Sequence, residues 1–431
     1  MDDPRRVLDW GLDALLKAGA DKAQCHLTRT EKHELNVMWG EIGLLRTTFD
    51  TQLKLIAIKE GRKGSTTINK TDRESVQKAA SEVLMIASAS VPDEANDIPE
   101  SQPCARFAAG SESPDRDAMY YRLKEFLETV KARYPQIMLI ETFLDFTRED
   151  TYVVNSNGVD LTARKGVYHC TPVFAAREDG RVSSFNGTSV AVRDLGRPLI
   201  DCGSTERLMQ ETIQQTRTLP VSGKFTGDVI IAPDCLGDML AFLIDSVRDR
   251  ALISGTSVYR NSLNEPVSSS SFSLHSRPVS GEICDGYFIT SDGYPAQDST
   301  IVERGVLRTF LLSLYGARKT GRKRAVNDGN AYVVDPGDTA LDDVVKSVDR
   351  GLLLVRFSGG YPSENGDFSG VAKNSYLIEG GQVRYPITET MISGNLADCL
   401  KNIRSVSRER VDYGTAVFPW VAVSGVTISG K

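Results

Sequence analysis

Histidine is scarce in this sequence: four in 431 residues, at His26, His33, His169 and His275. No two of them stand at the helical spacing that lets a pair of imidazoles share one metal ion. His169-Cys170 is an adjacent pair, and neighbouring side chains on a strand point to opposite faces. His33-Glu34 lies in a hairpin-like region with no second histidine in helical register. The four therefore read as ordinary core or surface histidines. The seven cysteines are odd in number and scattered, without Cys-x-x-Cys spacing. That fits a reducing cytoplasm better than a disulfide framework. No apolar run reaches about 18 residues, so no membrane span is expected. The start, Met1-Asp2-Asp3-Pro4, is acidic and lacks an apolar h-region, so no secretory signal is expected. Basic excess is missing too: 51 Lys and Arg against 57 Asp and Glu give a net charge of −6. Nucleic acid as the main ligand is thereby disfavoured. Neither Ser222-Gly223 nor Ser254-Gly255 sits in a Gly-x-Ser-x-Gly elbow. The Gly359–Gly366 stretch lacks the Gly-Lys-Ser/Thr ending of a phosphate loop and reads as a cluster of turns.

What is present is ordinary globular material, 40% hydrophobic and 25% charged, long enough for two or three domains. The spacing predicts a helix over 4–18, with Asp3 as cap, Pro4 at its first position and Val7, Leu8, Leu12, Leu15 and Leu16 on one face. Residues 23–60 alternate as strands and hairpins, punctuated by Gly40, Gly43, Gly61 and Gly64. Thr71-Asp72-Arg73-Glu74 reads as a capping box opening a helix to about Ala89. Residues 91–114, rich in Pro, Ser, Glu and Asp, read as a surface loop. A third helix carries Met119, Leu123, Phe126, Leu127 and Val130. From Ile137 to Val192 the pattern is almost entirely β, with a hairpin turn at Asn155-Ser156-Asn157-Gly158. A further helix over 204–217 runs into the Pro/Gly stretch 219–224, which marks a domain boundary.

The second half opens with the buried-type strand Asp228–Ala232. A helix follows, with Leu236, Met239, Leu240, Leu243, Ile244 and Val247 at helical spacing. Many short strands with Gly-rich turns come next, a short helix near 339–350, and the serine run 268–271, read as a flexible loop. The fold class is α+β. An N-terminal domain (1–220) has an antiparallel sheet with flanking helices. A C-terminal domain (221–431) is β-rich and barrel-like around a central helix. Cys235, at the start of that helix, reads as a small buried hydrophobe rather than an activated thiol. The basic run Arg318–Arg324 reads as a solvated surface turn.

Near the end, Val383–Pro386 reads as a strand and leads through Ile387 and Met391 to Asn395. Asn395 is a good N-cap with Asp398 at the third position, and Leu396, Cys399, Leu400 and Ile403 recur behind it. The order Tyr385-Pro386-Ile387-Thr388-Glu389-Thr390-Met391-Ile392-Ser393-Gly394-Asn395-Leu396 resembles the C-terminal signature of the TldD/PmbA family of metallopeptidases. Three more segments agree in order: Ile253–Arg260, Leu311–Gly321, and Gly366–Gly370 with Tyr376–Gly381. They look like the PmbA (TldE) branch. The resemblance implies a two-domain cytoplasmic protein, a dimer, and a role in peptide processing.

Peptidase members of the family carry a His-Glu-x-x-x-His zinc helix and a late cysteine ligand. The corresponding positions here fall near Ala241–Ser246, where Ala241, Phe242 and Ser246 cannot replace the imidazole pair and the glutamate. Cys399, the last cysteine, fits a buried helix face. No catalytic and no metal-binding residue carries over, and no cofactor is expected in this chain. The resemblance implies a PmbA/TldE-type subunit that processes or degrades peptides with a TldD-like metallopeptidase partner, which would supply the zinc. Ser257, Tyr259, Arg260 and Asn395 are the candidate contacts to peptide or partner. The expected partners are a TldD-like subunit, a second copy in a homodimer, or both, with the contact in the second half. Alternatives are a stand-alone peptidase with a divergent site and a non-enzymatic regulator related to gyrase or an antitoxin.

Overall fold

The computed structural model describes residues 3–430. Helix α1 (Pro4–Lys17) begins where its cap predicts: the Asp3 carboxylate accepts from the Arg5 backbone N–H at 3.2 Å. Strands β1 (Lys22–Met38) and β2 (Glu41–Lys59) form one long hairpin, turning at Trp39-Gly40, and β3 (Arg62–Ile68) adds to the far end of β2. Helix α2 (Arg73–Ala89) is capped by Asp72, one residue later than a Thr71 cap would place it; the carboxylate accepts from the Ser75 N–H at 2.9 Å. The expected loop 91–114 contains a strand, β4 (Ala105–Gly110). Its small residues give no apolar run to read, and only its parallel pairing with a distant strand makes it β. Helix α3 (Arg116–Arg133) follows, then the long pair β5 (Ile137–Asn155) and β6 (Asp160–Glu178). At their turn the Asn155 side chain accepts from the N–H groups of Asn157 and Val159, both at 3.0 Å.

The first sheet runs in the order β3-β2-β1-β5-β6-β4, with three short strands added to β6. Alternation along β1 sorts its faces. Cys25 and Leu27 point to a core shared with α1 and α2, and Leu35 and Val37 to one shared with α3. Lys32 and Glu34 lie on the opposite face. Helix α4 (Thr205–Gln214) closes this part of the chain.

The remaining strands form a second, thirteen-stranded sheet. Its hub is strand Val417–Ser429, which pairs with Lys224–Ile231, Ile403–Asp412 and Thr390–Asn395 along different stretches. Strand Lys224–Ile231 also lies parallel to Arg350–Leu354. The sheet does not close. It ends on Val306–Leu307 at one side and Gln382–Pro386 at the other, so the barrel-like expectation gives way to an open, branched sheet. Branching at the hub strand takes the place of the last-to-first pairing that closure requires. One hydrophobic core joins α3, α4 and the second sheet. The serine run is tied down rather than loose: the Ser269 N–H donates to the Leu400 carbonyl at 2.9 Å. The basic run is also engaged. Arg318 pairs with Asp97, Lys319 with Asp93 at 3.0 Å and Arg324 with Asp292 at 3.5 Å.

Candidate functional site

Strand Lys224–Ile231 feeds directly into helix α5 (Pro233–Ser246), with Pro233 at its first position. The apolar face of α5 buries Leu236, Met239, Leu240 and Leu243, while Asp238, Ala241 and Asp245 remain exposed. Phe242 turns inward. Its ring lies 6.1 Å from that of Tyr259 at an interplanar angle of 59°. Gly366, at φ +95°, passes so close that a Cβ there would sit 2.9 Å from Phe242 Cζ and 3.2 Å from Asn395 Oδ1. Tyr259, Phe242, Gly366 and Asn395 thus form one contiguous group beside α5.

The four candidate contacts divide in two. Ser257 and Tyr259 are buried, and the Ser257 hydroxyl accepts from the Tyr259 N–H at 3.0 Å. Burial pushes the Tyr259 phenol up, with Asp398 adding to it, and among the described residues its hydroxyl has no hydrogen-bond partner. Arg260 is exposed and donates to the Gly255 carbonyl at 3.1 Å. Asn395 is half-buried. Its side-chain oxygen accepts from the N–H groups of Ala397 (3.0 Å) and Asp398 (3.2 Å). Its amide donates to the Asn365 carbonyl and to Asp367, both at 2.9 Å. Asn395 therefore caps helix Leu396–Lys401 and pins the 365–367 turn at once.

The donor set beside α5 does not suit a zinc ion. Ala241 and Phe242 offer no ligand atom, and the Phe242 ring fills the space where a side chain could reach toward Tyr259. Burial raises the Cys235 thiol far above its ordinary range and pushes the Cys399 thiol up to about 11, the opposite of what a metal thiolate needs. Among the described residues no group of three His, Cys, Asp or Glu side chains is placed to hold a metal ion.

Two further arrangements escaped the sequence reading. The first is a cleft of about 450 Å³ between the two sheets. Thr171, Asn186 and Ser189 line it from the first sheet's side, and Asp234, Asp238 and Arg356 from the second. The Arg356 guanidinium lies 4.6 Å from the Phe185 ring centre and donates to the Phe185 carbonyl at 3.1 Å. Behind the cleft Arg207 pairs with Asp234, bonds Glu211 at 2.8 Å and lies 5.4 Å from the Trp420 ring centre. Asp238 is exposed as a residue, but partial desolvation of its carboxyl raises it above the usual range, against a smaller pull from Arg356.

The second is a row of charges across the polar face of the first sheet. Arg46, Glu34, Asp145 and His169 are successive cross-strand partners on β2, β1, β5 and β6. Lys32 bridges the two acids, at 2.9 Å from Glu34 and 3.3 Å from Asp145. His169 Nδ1 lies 3.3 Å from Asp145, and Nε2 lies 3.0 Å from Asp285, which Lys165 also holds at 2.6 Å. The carboxylates sit on opposite nitrogens, so they do not converge on one point as metal ligands would. Burial pulls the imidazolium down, but the two carboxylates outweigh it and hold His169 at about 9; Asp285 falls to about 2. The row ends at Asp285, in the loop between strands Leu274–Ser276 and Ser299–Glu303, and ties that loop of the second half to the first sheet. Its members lie too far apart in sequence for a motif; the only local hint is polar residues at alternate positions of β1.

The cleft offers charged and hydrogen-bonding groups from both sides, whereas the charges of the row are paired with one another. No helix among the described residues is long and apolar enough to cross a membrane. Comparison with known proteins agrees with this architecture. A family model for the PmbA/TldA metallopeptidase C-terminal domain matches residues 222–430. Metalloprotease PmbA homolog of Haemophilus influenzae is 23% identical, with 98% of this chain and 96% of that protein covered. Metalloprotease PmbA of Escherichia coli O157:H7 is also 23% identical, over 98% and 97% of the two chains. The crystal structure of TldE from Thermococcus kodakarensis shares the fold, with a TM-score of 0.82, 19% identity and 99% of each chain covered.

Proposed function

The chain belongs to the PmbA/TldD metallopeptidase family, and from that premise we propose that it is the PmbA/TldE-type subunit of a TldD/TldE-like complex. The complex processes or degrades peptides in the cytoplasm. A TldD-like partner supplies the zinc and the general base. This chain, as an N-terminal domain (1–220) and a C-terminal domain (221–431), shapes the peptide path and completes the assembly. The observation that carries the reading is the open face of α5, where Ala241 stands exposed and Phe242 is turned into the core against Tyr259. Peptide hydrolysis needs an activated water and a proton acceptor in register, and these side chains supply neither. The exposed Arg260 and the half-buried Asn395, in the same neighbourhood, are the proposed contacts to peptide or partner; Ser257 and Tyr259, both buried, shape the loop that presents Arg260.

The test uses the full chain, purified alone and with a TldD-like partner. Expected are no stoichiometric zinc by elemental analysis, no peptide cleavage by the chain alone, and cleavage on adding the partner. About one tightly held zinc per chain, or chelator-insensitive cleavage without any partner, overturns the proposal.

A further inference from the structure

Two opposite charges in the cleft between the sheets have no ion pair among the described residues. They are Asp238 on α5 and Arg356, at the start of strand Arg356–Gly359, and both line the cleft. Asp238 also makes no hydrogen bond there; the one charge close enough to act on its carboxyl is Arg356. Arg356 does not come to meet it. Its Nη1 donates to the Phe185 carbonyl at 3.1 Å, and its guanidinium lies 4.6 Å from the Phe185 ring centre. The same carbonyl accepts from the Asn374 amide at 3.3 Å, so the segment that holds Arg356 is itself tied down. The Nε and Nη2 atoms of Arg356 have no acceptor among the described residues. The other charge at the cleft is taken: Asp234 pairs with Arg207, which also bonds Glu211. A volume of about 450 Å³ is that of a small-molecule site, where apolar walls combine with a few placed polar groups. Val173, Val355 and Phe357 supply apolar wall, and Phe185, which lines the same space, is 57% exposed.

We propose that the cleft binds a free α-amino acid with an apolar side chain, its ammonium on Asp238 and its carboxylate on Arg356. A negative and a positive group held apart across one cavity match a ligand of the reverse polarity. A purely anionic ligand, such as a phosphate, meets the like charge of Asp238, and a polyamine meets that of Arg356. An extended peptide gains about 3.3 Å per residue, so its two charged ends soon lie too far apart, and its inner amides carry no charge. The carboxylate has two guanidinium nitrogens open to it, the planar fork that arginine offers such a group. Asp238, partly desolvated and unpaired, gains a charge-assisted hydrogen bond. The side chain then lies against Phe185, Val173 and Phe357 and removes apolar surface from water. Peptide cleavage releases molecules of this class, yet the site belongs to this chain and needs no TldD-like partner. Binding to the isolated chain tests it, whereas cleavage with the partner tests the function proposed above.

The experiment is titration calorimetry of the full chain, without partner, against L-phenylalanine, L-leucine and L-methionine. At least one should bind with a Kd below about 1 mM. The N-acetyl form of that amino acid lacks the cation and the amide form lacks the anion. Each should bind on the order of tenfold more weakly, or worse. Asp238→Asn should weaken the free amino acid by a similar factor and bind the N-acetyl form no more weakly than the parent does. Arg356→Gln should weaken the free amino acid and bind the amide form no more weakly. Asp238→Asn breaks no ion pair or hydrogen bond among the described residues, so its urea midpoint should stay at the parent's. No binding of any of the three at millimolar concentration overturns the proposal. So does a dipeptide or longer peptide that binds at least as tightly as the free amino acid, or a pair of variants that weakens free and capped forms alike.

Discussion

Replacing His169 with glutamine removes the one cation shared by Asp145 and Asp285 and tests whether the row of charges latches the Asp285 loop to the first sheet. His169 moves from 6.5 to about 9 in the folded chain. At about 1.4 kcal/mol per pH unit, the charged imidazole favours the folded state by at most about 3 kcal/mol. The side chain is 25% exposed, and solvent screening leaves roughly 2 kcal/mol. The sign follows from the direction of each shift. A raised histidine contributes in full below its unfolded value of 6.5 and loses that contribution as pH rises through about 9. Asp285, lowered from 3.8 to about 2, contributes above 3.8 and loses it as pH falls through 2. The latch is therefore strongest between these limits, in mildly acidic solution. Urea unfolding of parent and His169→Gln should differ by roughly 2 kcal/mol at about pH 6 and converge above about pH 9.5. Amide exchange over 283–288 should quicken in the variant, because Asp285 loses one of its two cations. An equal difference at both pH values, or none at the lower one, refutes the latch.

Tyr259→Phe should leave stability unchanged or raise it by up to about 1 kcal/mol, because it removes a buried hydroxyl without a partner among the described residues. A loss of more than about that amount in urea unfolding would show that the hydroxyl is satisfied after all. Gly366→Ala should cost roughly 1–3 kcal/mol, since the backbone there has φ +95° and the added methyl meets the Phe242 ring at 2.9 Å. An unchanged urea midpoint would mean that the 365–367 turn and Phe242 shift freely, and that the group beside α5 is not rigid.

What the sequence made legible is what neighbours in sequence decide. Asp3 with Pro4, the turn at Asn155, the apolar spacing of α5 and the Asn395 cap are each written within a few residues, and each forms as read. Features that depend on distant pairing were not legible. Strand β4 exists because β6 lies beside it. The hub strand Val417–Ser429 shares its two edges among several partners, and nothing in its own alternation says that the sheet will branch instead of closing. The charge row is the sharpest case. Glu34 beside Asp145 would repel if register were all that mattered, and like charges opposite one another destabilise a sheet. The pairing holds because Lys32, one alternation away on the same face, reaches both. His169 then carries the charge of Asp145 over to Asp285, in a segment 116 residues further along the chain. Each of these side chains alone looks like a solvated strand residue; together they tie the Asp285 loop to the first sheet. A sequence reading that tested β1, β5 and β6 for compensating charges at matched parity could have found the row before any coordinates.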